Sequence, residues 1–430
     1  VANHFHVRSG SGDDSTGDGS YGSPFATISK AFTENADVTD SFIYVDDEGD
    51  PGNNVYYVED DGSGNILNQI NSTGPGTIPI GLTIMASGTA GIVDGRRSAT
   101  HTPQCAPIVD GLQTATHAIK ANRGWTIQGI TFRRFGTGGA QHYAIFQNLN
   151  HQSAIVRDCT FTQISGTAAV YFGGYLYGNP TQYHRNVVYN CMGQGLIGPN
   201  SLGDQRGIAY GNLVYNCGGI AITCGEVYHN TVHGTPSASS NHNQRSYAIN
   251  SRSASFNIVT DANVHIRAIQ TYRDDGHSYN FVSGTYDDDG NHTPTDFHGD
   301  PNTGDQVDVD PEYNDKDNND FTLPVADSPV SALHPAWAPG SESPCYMATP
   351  QTKFDYPDIS TAVFGVSPYR SFSGSAFGGN RFGKHGPKVL GVAHHNSEIG
   401  YHELNSRKVL GVSSGLIKSV AGDRGNSDDS

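Results

Sequence analysis

The chain has 430 residues, a formal net charge of −17 and only 16 % charged residues, with 53 glycines and 22 tyrosines. An acidic surface of this kind lacks the Lys/Arg field that holds phosphate backbones, so nucleic acid is excluded as an expected partner. No run approaches the ~18–20 apolar residues of a membrane span, so membrane insertion is not expected. Few strong helix formers and many turn residues point to an all-β protein.

The chain begins at Val1 without a basic and apolar leader, as a processed product does, and enters a Gly/Ser/Asp-rich loop. After Pro24, apolar residues at Phe25, Ile28, Ala31 and Phe32 fall at helical spacing and predict a short amphipathic helix. Strand-like runs follow at Ser41 to Val45, Asn54 to Val58 and Leu82 to Met85, separated by Gly, Asp and Pro turn chemistry.

From residue 118 onward the chain resembles itself. Gly129-Ile130-Thr131-Phe132, Asp158-Cys159-Thr160-Phe161, Asn186-Val187-Val188-Tyr189, Asn212-Leu213-Val214-Tyr215, Asn230-Thr231-Val232-His233, Asn257-Ile258-Val259 and Asn280-Phe281-Val282 align. Their spacings are about 29, 28, 26, 18, 27 and 23 residues, the range of solenoid repeats. Such short apolar runs bury themselves only by stacking on their neighbours. The asparagine that leads five of them predicts a ladder of side-chain amides bonded from one repeat to the next.

Six cysteines do not make a disulfide framework in a chain this long. Cys191 and Cys217 occupy matching places in consecutive repeats, where they either pack as compact buried thiols or form a bridge.

Ser20 to Phe32, with its Gly-Ser-Pro-Phe-Ala-Thr-Ile core, resembles the N-terminal cap of right-handed β-helix proteins of the pectate-lyase superfamily. Trp125 to Phe132 resembles an early coil of that fold, and Asp310-Pro311-Glu312-Tyr313 with Asn319 to Leu323 resembles its closing segment. The resemblance implies an all-β, right-handed, single-stranded parallel β-helix with an N-terminal cap helix and a separate C-terminal tail. The expected organisation is a cap and first coils over 1–117, a β-helix core with closing segment over 118–335, and an extension over 336–430. In that extension Lys388-Val389-Leu390-Gly391-Val392 recurs as Lys408-Val409-Leu410-Gly411-Val412. This repeat resembles those at the ends of phage and other virion structural proteins and marks an attachment or oligomerisation element; a Gly-rich strand pair capping the solenoid is the competing reading.

Polysaccharide lyases on such a scaffold need a base beside a uronate carboxylate and cations to stabilise the enolate-like intermediate. No lysine occurs between Asn122 and Asp300, so arginines are the remaining candidates; Arg273 is followed by Asp274, Asp275 and His277, a cation beside hard oxygen ligands. A hydrolase would need paired carboxylates, with Glu226 the one glutamate of the core ahead of its closing segment and Asp204 or Asp261 as neighbours. Two Asp-rich loops offer calcium ligands, at Asp287 and Asp289 and at Asp315 and Asp317, with a purely structural loop as the competing reading. The second departs from an EF-hand, with Asp320 in place of the sixth-position glycine and Ala326 in place of the last glutamate. Tyr171, Phe172, Tyr175 and Tyr177 form the expected glycan platform, with aromatics stacked inside a coil as the competing reading.

Two functions are therefore expected. One is a structural or adhesion β-helix at a virion surface, a spike, fibre or capsid decoration, homotrimeric or bound to other virion proteins, with cell-surface polysaccharide as ligand. The other is a secreted calcium-assisted polysaccharide lyase or glycoside hydrolase. Both place the chain outside the cell or on a virion.

Overall fold

A computed structural model of the chain describes residues 3–321 except 36–39, 47–54, 63–65, 72–80, 88–91, 94–95, 98–106, 122–124, 138–140, 148–153, 174–180, 200–206, 235–246, 265, 273–275, 285–294, 298, 302–304, 314 and 319–320. Beyond 321 it describes only the strands Lys408–Val409 and Val412–Ser413. The described residues are nearly all β, organised in a 17-stranded and a 10-stranded sheet whose pairings are parallel, an arrangement compatible with a parallel β-helix.

The repeats seen in the sequence are the smaller sheet. Its strands lie in chain order, from Val55–Tyr57 through Ile108–Asp110, Thr131–Arg133, Thr160–Thr162, Val187–Tyr189, Leu213–Tyr215, Thr231–His233, Ile258–Thr260 and Phe281–Ser283 to Gln306–Val307. In the nine three-residue strands the middle residue points inward, so Tyr56, Val109, Phe132, Phe161, Val188, Val214, Val232, Val259 and Val282 stack in one buried column. Each such side chain contributes about 1.5–3 kcal/mol by leaving water, and Phe132 and Phe161 stack with centroids 5.3 Å apart.

The larger sheet contains two strand series. One includes Phe42–Asp46, Thr83–Ser87, Thr126–Gln128, Ile155–Arg157, Thr181–His184 and Gly207–Tyr210; the other includes Ile70–Asn71, Ile119–Lys120, Ile145–Gln147, Ala168–Phe172 and Gln194–Ile197. They fuse at Ile222–Tyr228, whose first residues continue Leu196 and Ile197 and whose last continue Ile208 to Tyr210. No loop separates the two series in that repeat, which explains why Asn212 and Asn230 are closest in sequence.

The turn into each of the seven strands from Thr131–Arg133 to Phe281–Ser283 is two residues long, and its first residue has positive φ: Gly129, Asp158, Arg185, Gly211, His229, Phe256 and Tyr279. Such a backbone costs a side-chain-bearing residue about 1–2 kcal/mol. Contacts between repeats offset that cost. Arg185 bonds Asp158 through Nε and Nη2 at 2.7 and 2.8 Å, and the rings of His229, Phe256 and Tyr279 stack at 4.9 and 5.2 Å.

The second turn residue carries the ladder. The Oδ1 of Asn212 accepts both the backbone N–H and the Nδ2 of Asn186, each at 2.9 Å, and the same two bonds recur from Asn212 to Asn230, Asn230 to Asn257 and Asn257 to Asn280. Each Nδ2 also donates to a strand carbonyl, Tyr183 in the case of Asn212. The ladder starts at the N–H of Cys159 and ends on Asp305, whose Oδ1 accepts from Asn280 while Oδ2 takes His277 Nδ1 at 2.7 Å. A carboxylate suits the last position because no further acceptor has to be reached.

The amphipathic helix is Ile28–Glu34, capped by Thr27 Oγ1, with Ile28 and Ala31 buried and Phe32 packed edge-on against Trp125. Ahead of it lies a strand absent from the sequence reading, His4–Val7, which pairs in parallel with Phe42 to Val45. At the other end the closing segment returns along the outside of the smaller sheet. Phe321 is buried against Val187, Leu213 and Tyr215, and Lys316 reaches Asp261 at 3.4 Å.

Cys159, Cys191, Cys217 and Cys224 are free, buried thiols. The Cys191 thiol hydrogen-bonded to Cys217, together with burial, raises the Cys217 pKa well above the ordinary thiol value.

Candidate functional site

Alternation along the second series of the larger sheet turns Ile145 and Val170 inward and Phe146 and Tyr171 outward. In register, Lys120 aligns with Phe146 and Phe146 with Tyr171, so three successive strands present one column. Tyr143 joins from the preceding turn, its ring 4.8 Å from Phe146 and 5.2 Å from Tyr171, while Lys120 Nζ lies 5.9 Å from the Phe146 centroid. The Tyr171 ring folds over the backbone of Gly173, where a Cβ would meet ring atoms at 2.2 Å, so only glycine lets the ring lie there. Phe146 and Tyr171 keep part of their surface in water, whereas Tyr143 is buried and burial raises its pKa. Nearby, burial first, then the charges of Lys120 and His142, depress His117 to about 4, leaving it neutral at physiological pH.

The first series carries a second polar and aromatic face. Arg157, Gln182, His184, Ile208, Tyr210, Glu226 and Tyr228 project outward on adjacent strands. Burial, then the neighbouring charges of Arg185 and Arg157, push His184 down to about 3. The ring is thus neutral and shares a 2.8 Å hydrogen bond with Gln182 Oε1, to which Nε2–H donates. Burial also lowers Arg157 to about 10, which still leaves it charged at neutral pH.

Of the expected glycan platform, Tyr171 is on the outer column and Tyr175 and Tyr177 lie outside the described residues. Phe172 is a correction: one residue along a strand reverses the face, and its ring is buried against Tyr183 at 5.8 Å. The partners Lys120, Tyr143 and Phe146 were missed; the signal that finds them is inward or outward parity, which needs the strand limits.

Of the candidate lyase cluster, Arg273, Asp274 and Asp275 lie outside the described residues. His277, counted with them, is instead buried, stacked on Phe297 and bonded to Asp305 at the end of the ladder. Glu226 faces outward beside Ile208 and Ser253 in register. Asp261 does not join it, because it follows a strand of the other sheet and approaches His233 and Lys316; Asp204 is outside the described residues. Arg185, another candidate base, is held by Asp158.

Asp287 and Asp289 also lie outside the described residues. Asp315 and Asp317 are exposed at the short 3-10 turn Lys316–Asn318. Among the described residues no three His, Cys, Asp or Glu side chains are grouped to hold a metal ion. In the tail, Lys408–Val409 pairs antiparallel with Val412–Ser413, while Lys388, Val389, Leu390 and Leu410 are outside the described residues. Among the described residues no helix is long and apolar enough to cross a membrane. No protein-family model matches the chain, and no curated protein matches it in sequence.

Proposed function

We propose that the chain is a right-handed parallel β-helix, capped at its N terminus by Ile28–Glu34, that acts as a rigid adhesion module on a virion surface or elsewhere outside the cell. Its ligand is carbohydrate, held at Lys120, Phe146 and Tyr171. The observation that carries this reading is their common outward column on three paired strands. Strand-borne side chains keep their spacing without a ligand, so little ordering entropy opposes binding. Ring carbon and a phenol offer an apolar edge and a polar handle to a sugar, and the lysine offers a cation to its hydroxyls or carboxylates. Assembly with itself, as a trimer, or with other virion proteins is assigned to the repeats Lys388 to Val392 and Lys408 to Val412.

The test is a panel of neutral and uronic polysaccharides, with titration calorimetry on any that bind. Tyr171→Ala is expected to weaken binding about tenfold or more, the equivalent of about 1.4 kcal/mol, with the unfolding midpoint little changed. Binding unaffected by both Tyr171→Ala and Lys120→Ala defeats the assignment. Release of an unsaturated product absorbing in the ultraviolet would favour the lyase reading instead. Removing residues 380–430 is expected to abolish self-association, measured by mass in solution; an unchanged mass removes the tail from assembly.

A further inference from the structure

We propose that Cys191 and Cys217 form a disulfide between successive repeats when the chain folds in the presence of a low-molecular-weight disulfide oxidant. The two residues are equivalent in the stack. Val187 to Tyr189 pair in register with Leu213 to Tyr215, each cysteine follows an asparagine of positive φ, and Gly218 N–H donates to the Cys191 carbonyl at 2.8 Å. The two thiols lie alike, Sγ against the Tyr189 carbonyl at 3.5 Å and the Tyr215 carbonyl at 3.6 Å. Neighbouring strands run about 4.8 Å apart, within the roughly 4.4–6.8 Å between Cα atoms that a disulfide spans. The same two repeats are also joined by the hydrogen bond from Asn186 Nδ2 to Asn212 Oδ1 and by Tyr189 stacked on Tyr215 at 5.1 Å, which hold the register that a disulfide would need.

The chemistry is thiol–disulfide exchange. One cysteine thiolate attacks a sulfur of the oxidant, for instance oxidised glutathione, and expels one thiolate. The second cysteine thiolate attacks the mixed disulfide and expels the other. The cysteine pair gives up two electrons and two protons, and the two expelled thiolates take up the protons, so the oxidant is recovered as two reduced thiols. Timing follows from burial. Both cysteines are buried in the core of the finished fold, so exchange belongs to the stage before neighbouring repeats close over them, and a reduced chain that has already folded resists oxidation.

The full chain is unfolded under reducing conditions, refolded with reduced and oxidised glutathione, alkylated in denaturant and mapped without reduction. The expected product joins the peptides of Cys191 and Cys217, lighter by two hydrogens, and unfolds at a temperature several degrees higher than the reduced chain. That difference is expected to vanish in Cys191→Ala. A second arm adds oxidised glutathione to the reduced, folded chain at the midpoint of urea unfolding, so that a failure to refold does not hide the outcome. Recovery of both cysteines alkylated in both arms overturns the proposal, as does a map in which either pairs mainly with Cys105, Cys159, Cys224 or Cys345.

Discussion

Asn212→Ala is expected to destabilise the fold by about 3–5 kcal/mol, from two or three buried groups left without partners at about 1–3 kcal/mol each. The Asn186 N–H loses its acceptor, the Asn186 amide loses one of its two, and the Tyr183 carbonyl loses the Asn212 donor. Alanine has no side-chain atom that can reach any of these groups. Water cannot substitute readily, because Asn186, Asn212 and Asn230 are all fully buried. Asn212→Asp is expected to be no milder. It keeps an acceptor for Asn186 but sets a second acceptor against Asn230 Oδ1, whereas Asp305 tolerates a carboxylate because its other oxygen meets His277. Urea unfolding of the full chain measures both variants. A loss below about 1 kcal/mol for Asn212→Ala, with an unchanged denaturant slope, would mean that the ladder only accompanies stacking.

The ladder and the smaller sheet were legible because each repeat combines a turn residue with a β-branched or aromatic run, and that combination survives variable loop lengths. Gln306–Val307, the last strand, carries no leading asparagine and escaped the alignment. The larger sheet was less legible. Its two series are separated by loops of differing length, and Ile222–Tyr228 joins both in one strand, so no fixed offset relates them. Strand limits decide which side of Tyr171-Phe172 faces water, and a one-residue error exchanges the platform residue for a core residue. His4–Val7 was hidden for another reason. Two histidines in four residues lower its apparent strand character, yet both project from the outer face, where they meet Tyr44, while Phe5 and Val7 pack against the core. His277 looked like part of an acidic turn because its partner, Asp305, lies one repeat away.

His184 is expected to make the protein acid-sensitive. The unfolded chain titrates it near its ordinary value of 6.5, whereas burial beside Arg185 and Arg157 holds the folded value at about 3. Above pH 6.5 both states are neutral at this ring and its contribution is complete. As pH falls below 6.5 the unfolded state takes up a proton that the folded state refuses, so stability declines until pH reaches the folded value. One proton corresponds to at most about 1.4 kcal/mol per pH unit, or roughly 2–3 kcal/mol between pH 6.5 and 4.5. His117, depressed to about 4, adds a decline of the same sign. Asp110 does too: burial pushes its carboxyl up, but hydrogen bonds from Arg134, the Leu112 N–H and Arg133 outweigh it and set a lowered pKa. These two act equally in the wild-type and His184→Gln chains, so the difference between them isolates His184. Glutamine retains a polar side chain but cannot take up the proton, and the variant is therefore expected to lose stability less steeply than the wild type when urea unfolding is repeated at pH 7.5, 5.5 and 4.5. Parallel declines in the two chains would place the His184 proton on the folded protein as readily as on the unfolded one, and would mean that water reaches this part of the outer face.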